Sequence, residues 1–157
     1  MIASEAKKRA AIVAEALSWE RTPYHGHQRV KGLAVDCAQL PIAVYSNVGI
    51  IPPIEPEYSQ QWMTHRDEEL YIDQILEFSR EILPGKVQAG DLIVWKFGRT
   101  FSHSAIVIEP PIVIHATAAA RAVVRCDSSA EEEYRIRPRR AFSVFQPGGS
   151  LVYQGPK

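Results

Sequence analysis

An α+β fold, with helices in the amino-terminal half and an antiparallel β-sheet in the carboxy-terminal half, is predicted by three features of the sequence. Apolar residues recur at helical spacing before Gly90, short β-branched runs follow it, and the two kinds of segment do not alternate as βαβ units would. The 157 residues suit one domain. Hydrophobic residues at 46% and charged residues at 23% exclude wholesale disorder and fibrous repetition. Lys+Arg and Asp+Glu both number 18, so no cationic excess points to a nucleic-acid partner. The apolar stretches are interrupted too often for a membrane span or a signal-peptide core, so neither is expected.

In chain order, Ser4 is placed to cap a helix running to about Trp19, with Ala6, Ala10, Val13 and Leu17 as its apolar stripe. A polar loop, Arg21 to Gln28, then leads through Gly32-Leu33-Ala34-Val35 into a helix beginning near Cys37, where Pro41 predicts an irregular or kinked start. The run Ile51-Pro52-Pro53-Ile54-Glu55-Pro56 reads as a surface crossing, because prolines lack the N–H that helix and sheet both use. Thr64 and Asp67 are spaced to cap a further helix. Leu70, Tyr71, Ile75, Phe78 and Ile82 form its face, and Pro84-Gly85 ends it. Strands are expected over 92–95, 104–108, 112–115, 122–125 and 142–145. The domain is taken as residues 1–146, and 147–157 as a tail that is poorly ordered or docks to a partner.

Two cysteines cannot build a disulfide framework and are read as thiols. Cys37 stands where a helix begins, a position that favours a thiolate, whereas Cys126 ends a strand pattern and needs no functional explanation. Of the five histidines, His103 and His115 flank one hairpin turning at Glu109-Pro110-Pro111. A three-residue loop pairs Ile108 with Ile112 and Ala105 with His115, leaving His103 diagonal to His115 on one face; an even loop without a bulge separates them. With the helix start packed over that end of the sheet, Cys37, His103 and His115 can serve as nucleophile, base and base-orienting group. Residue types alone leave a purely structural role open for all three.

The local wording narrows the choice. Thr22-Pro23-Tyr24, Val35-Asp36-Cys37, Gly90-Asp91-Leu92-Ile93-Val94-Trp95, His103-Ser104-Ala105-Ile106-Val107-Ile108 and Ile114-His115-Ala116 occur in the order seen in NlpC/p60-type cysteine peptidases, and the resemblance runs from about Ala11 to Phe145. It is nearest to the phage-associated branch described as cell-wall peptidases or tail-assembly proteins. The resemblance implies a papain-like fold, with Cys37 as nucleophile, His103 as general base and His115 as the third polar residue. Tyr24 would supply a hydroxyl to the oxyanion or substrate, and Asp36 would line the site. Family members often follow Asp-Cys with Ser-Gly; here Ala38-Gln39 and then Pro41 follow, so the pocket and helix start are expected to differ.

The implied substrate is the stem peptide of bacterial peptidoglycan, cut next to D-glutamate through a thioester, with no metal or organic cofactor. Endopeptidase action is favoured over amidase on the resemblance. Implied partners are phage tail-tip proteins, and the implied location is the virion tail, or the host cytoplasm before assembly or lysis. The alternative is a structural tail component that keeps the fold without catalysis. An acyltransferase of the permuted relatives is disfavoured, because there the His precedes the Cys. His25-Gly26-His27 reads as a loop rather than a metal site, since two imidazoles need a further ligand. His65 reads as an exposed first-turn residue, and Trp19, Trp62 and Trp95 as core. Arg121, Arg125, Arg135, Arg137, Arg139 and Arg140 suit acidic peptides. They lie among Asp127 and Glu131–Glu133, which favours a solvated mixed-charge surface.

Overall fold

The computed structural model describes residues 3–55 and 69–156. Helix α1 spans Ala3–Leu17. The face it turns inward is Glu5, Arg9, Ile12 and Ala16, followed by buried Trp19 in the turn after it, while Ala6 and Ala10 are exposed. The stripe therefore lies one position before the one that apolar spacing indicates. Two of its members are charged and buried because they are paired: Arg9 Nε donates to Glu5 Oε1 at 2.9 Å and Arg9 Nη1 to Asp91 Oδ1 at 2.8 Å. Counting apolar residues passes over such a pair.

A short hairpin follows, β1 (Arg29–Val30) and β2 (Ala34–Val35), and then α2 (Gln39–Asn47). Pro41 is the third residue of α2, where a missing N–H loses no helical bond, so it opens the helix instead of kinking it. The expected crossing is described to Glu55 and holds no helix or strand there; Pro52 and Pro53 are exposed, but Ile51 is buried. Thr64, Asp67, His65 and Trp62 lie outside the described residues.

Helix α3 spans Leu70–Leu76, shorter than expected. Ile82 belongs instead to strand β3 (Arg80–Ile82), where Arg80, Glu81 and Ile82 pair with Ser143, Phe142 and Ala141. Pairing with the sheet outcompetes a helical continuation whose last carbonyls are already met locally: Ser79 Oγ donates to Ile75 O at 2.6 Å. Pro84–Lys86 forms a short 3-10 helix.

The rest of the sheet is β4 (Leu92–Phe97), β5 (Thr100–Glu109), β6 (Ile112–Thr117), β7 (Ala122–Asp127) and β8 (Arg139–Ser143), with α4 (Glu132–Arg135) before β8. The order is β3-β8-β4-β5-β6-β7 and every pairing is antiparallel. One face presents Leu92, Val94, Ile106, Ile114 and Phe142 to the helices, where they meet Ile12, Leu40, Val44, Tyr45, Tyr71 and Ile75 in the main core. The other face carries a smaller cluster of Ile93, Trp95, Ala105, Val107, Val113 and Tyr134. Gly90 joins the layers. Its φ of +90° suits glycine, Ile12 lies 3.4 Å from where a Cβ would stand, and its carbonyl accepts from Tyr45 OH at 2.8 Å.

The chain after Phe145 folds back onto the domain. Val152 N donates to Val144 O at 2.9 Å, and Leu151 and Tyr153 pack against the main core, so this stretch docks on its own chain.

Candidate active site

Asp36 sets the start of α2. Its Oδ1 accepts from the backbone N–H groups of Ala38 (3.1 Å) and Gln39 (2.8 Å), and its Oδ2 accepts from His27 N at 2.7 Å. The first two bonds satisfy donors that a helix leaves unmet, and the third holds His27 at a φ of 62°, uncommon for a non-glycine residue. Asp36, expected to line the site, is 2% exposed and acts as its frame.

Cys37 is thereby held at the threshold of α2, against the backbone of β5. Its Sγ lies 3.8 Å from Ser102 O, and its own carbonyl accepts from Ser104 Oγ at 2.9 Å. The residues on either side of His103 thus hold Cys37, Ser102 through its carbonyl and Ser104 through its hydroxyl. Burial, reinforced by the Asp36 carboxylate, pushes the thiol up to about 12, against backbone N–H groups of Cys37, Ser104 and Ala38 that favour the thiolate.

His103 and His115 meet: Nε2 of the first is 2.7 Å from Nδ1 of the second. A bulge in β5 brings this about. The ladder sets Val107 opposite Val113 and Ile106 opposite Ile114, the register expected of the hairpin, but Glu109 pairs with Ile112. The loop is therefore the even Pro110-Pro111 turn, and Ile108 is the extra residue that restores a common face. At the other end Trp95 pairs with His103 and Lys96 with Phe101, leaving Ser102 as an extra residue beside the histidine. Bulges re-aim side chains in this way.

Aromatic rings close around the pair. Tyr134 stacks on His103 (5.7 Å between centroids, 22°) and meets His115 edge-on at 5.1 Å; Trp95 and Phe97 lie 6.1 and 5.4 Å from His103. Burial drives His103 down to about 3, with help from His115 and the Arg137 guanidinium, and burial alone drives His115 down to about 4. Both imidazoles are neutral at pH 7. Tyr24 joins the site through a bridge to Val35, and burial, with Cys37 and Asp36 beside it, raises its hydroxyl to about 12.

Three residues stand here that the sequence does not place in the site. Trp95 reads as core and is 1% exposed, but it packs beside His103. Tyr134 and Arg137 sit in an acidic and basic stretch that reads as surface; the one signal was an aromatic inside Glu131-Glu132-Glu133-Tyr134-Arg135. Cys126 is half-buried on β7 against the small cluster that contains Tyr134. No group of three or more His, Cys, Asp or Glu side chains among the described residues is placed to hold a metal ion, and no described helix is long and apolar enough to cross a membrane.

Residues 21–140 match the profile of the NlpC/P60 family. Among solved structures, the NlpC/p60 domain of the peptidoglycan hydrolase SagA superposes with a TM-score of 0.58 at 21% identity, covering 86% of this chain and 97% of that one. The peptidoglycan hydrolase RipB of Mycobacterium tuberculosis gives 0.65 at 16% identity, over 94% and 69%. A lipoprotein-like NLP/P60 protein of Staphylococcus aureus gives 0.61 at 23% identity, over 85% of this chain and 41% of that one. These likenesses establish a shared fold. A comparison with curated proteins returns no match.

Proposed function

The chain belongs to the NlpC/P60 family, and from that premise we propose that it is a cysteine peptidase cutting stem peptides of bacterial peptidoglycan next to D-glutamate. The observation that carries this reading is the 2.7 Å contact between His103 Nε2 and His115 Nδ1, beside a cysteine at the threshold of a helix. With Nε2 engaged by His115, Nδ1 is the nitrogen of His103 free to act as base. That requires His103 to carry its proton on Nε2 and donate it to His115 Nδ1, so His115 fixes the tautomer by accepting.

Thiol and imidazole are both neutral at rest, so the proton leaves as the sulfur attacks. Sγ of Cys37 bonds to the peptide carbonyl carbon while His103 Nδ1 takes the thiol proton. The oxyanion is met by the Cys37 backbone N–H and the Tyr24 hydroxyl. Collapse breaks the C–N bond, the amine leaves with the proton from His103, and a thioester remains. His103 then deprotonates a water, whose oxygen displaces the sulfur. The products are a free carboxylate and the restored thiol.

Digestion of purified peptidoglycan by the wild type and by Cys37→Ser, read by mass spectrometry, tests this. New ends at D-glutamate are expected with the wild type only. Release of whole stem peptides from the glycan would replace endopeptidase with amidase action. A second reading, a non-catalytic tail component, draws on the raised Cys37 thiol. It predicts no cleavage by folded protein at any pH under reducing conditions. The phage-associated assignment rests on the sequence resemblance and predicts that the chain co-purifies with tail particles after lysis.

A further inference from the structure

Several arginines of this chain end on carboxylates: Arg9 on Glu5 and Asp91, Arg29 on Glu55, Arg125 on Glu20 and Arg140 on Glu81. Arg125 and Arg140 are thus the mixed-charge surface that the sequence indicates. Arg137 departs from it. It is half-buried, with its guanidinium carbon 3.9 Å from the Phe97 ring centre. Nη1 makes one long bond, to Lys96 O at 3.4 Å, and Nε is shut from solvent with no partner among the described residues. Among the described residues no carboxylate pairs with it. The Phe97 ring beneath it meets His103 edge-on at 5.4 Å, so this cation stands at the rim of the base.

Such a group is costly where it stands. A half-buried cation without a counter-ion loses hydration, and beside His103 it opposes the imidazolium that proton transfer creates. Both penalties lift when an anion arrives. A γ-linked D-glutamyl residue carries a free carboxylate about 5 Å from its scissile carbonyl when extended. A planar guanidinium with unspent donors meets a carboxylate through two parallel bonds.

We propose that Arg137 is the specificity-determining residue of this site, binding the free carboxylate of the substrate residue whose carbonyl is attacked. The inference rests on the peptidase reading above. It makes the enzyme selective for peptides with that carboxylate free over peptides in which it is amidated.

The test compares a γ-D-glutamyl peptide with its α-carboxamide counterpart, using wild type, Arg137→Met and Arg137→Lys. The wild type is expected to favour the free acid by roughly 10- to 100-fold in kcat/KM, the scale of a charge-assisted bidentate pair. In Arg137→Met the ratio collapses toward one, and Arg137→Lys falls between. General damage to the fold or to the histidine pair lowers both peptides together and leaves the ratio standing. An unchanged ratio in Arg137→Met, or no preference in the wild type, overturns the proposal. The same ratio measured as Kd on Cys37→Ser protein, with Arg137 intact or replaced by Met, separates the two readings. If the wild type cuts neither peptide the peptidase reading fails, while a binding preference lost with Arg137 still sustains this one; equal Kd values sink it.

Discussion

Around Arg9 every buried charge has a partner, whereas around His103 several buried donors have none. Arg9 binds Glu5, Asp91 and the carbonyl of Ala89, and lies over the Phe145 ring at 4.5 Å; Asp91 also accepts from Gln88 N. Near His103, Trp95 Nε1, Ser102 Oγ and Arg137 Nε are buried without a hydrogen-bond partner among the described residues. Both clusters remove polar groups from water, which costs free energy unless the bonds are replaced. The first replaces them within the chain and ties α1 to the turn before β4. The second leaves them unpaired beside the two histidines.

The largest effect that follows falls on stability. Arg9→Met leaves Glu5 and Asp91 buried without their counter-ion and is expected to destabilise the domain by about 3–5 kcal/mol. Cys37→Ser, in the open cluster, should shift stability by less than about 1 kcal/mol. Urea denaturation of both variants checks the contrast, and equal losses would erase the distinction between the clusters.

Next in size is an effect on rate. On the peptidase reading, His115→Ala removes the acceptor that holds His103 in its working tautomer, and kcat is expected to fall about 100-fold. His115→Asn keeps an oxygen acceptor and should recover most of that loss. If Asn proves as damaging as Ala while both variants fold, His115 is packing and not orientation.

Acid should then undo the open cluster. His103 and His115 sit at about 3 and about 4 in the folded chain, against 6.5 when unperturbed. The unfolded chain therefore binds more protons between those limits, so the stability that the neutral pair contributes is complete above about pH 6.5 and is lost as pH falls. With both groups in play the slope approaches about 2–3 kcal/mol per pH unit near pH 5. The double variant His103→Gln/His115→Asn should flatten it, and an unchanged slope would place the acid sensitivity elsewhere.

How much of this was readable depends on whether a feature is local. The order of helices and strands and the facing of His103 and His115 follow from side-chain period and hairpin register, which neighbouring residues carry. Apolar spacing passes over Glu5 and Arg9 on the inner stripe of α1 because their burial depends on Asp91, some eighty positions on. Helical spacing claims Ile82 because its place in β3 is set by Ala141. The histidines face each other as expected, yet by an even turn and a bulge at Ile108, and nothing local distinguishes that route from an odd loop. Tyr134 and Arg137 reach the site from a charged stretch whose inward turn is set by the sheet face behind it.

The smallest expected effect probes the link between Arg137 and the base. Burial and His115 outrank the guanidinium in holding His103 down. Arg137→Met should therefore raise the His103 pKa while leaving it well below 6.5, since removing a cation eases protonation of its neighbour and the other two causes persist. Titrating the His103 ring by NMR in both proteins reads this directly. A His103 that titrates alike in both proteins would mean the cation is not felt at the base. Carboxylate binding by Arg137 could then still select the substrate, but could not also ease the charge that forms on His103 during attack.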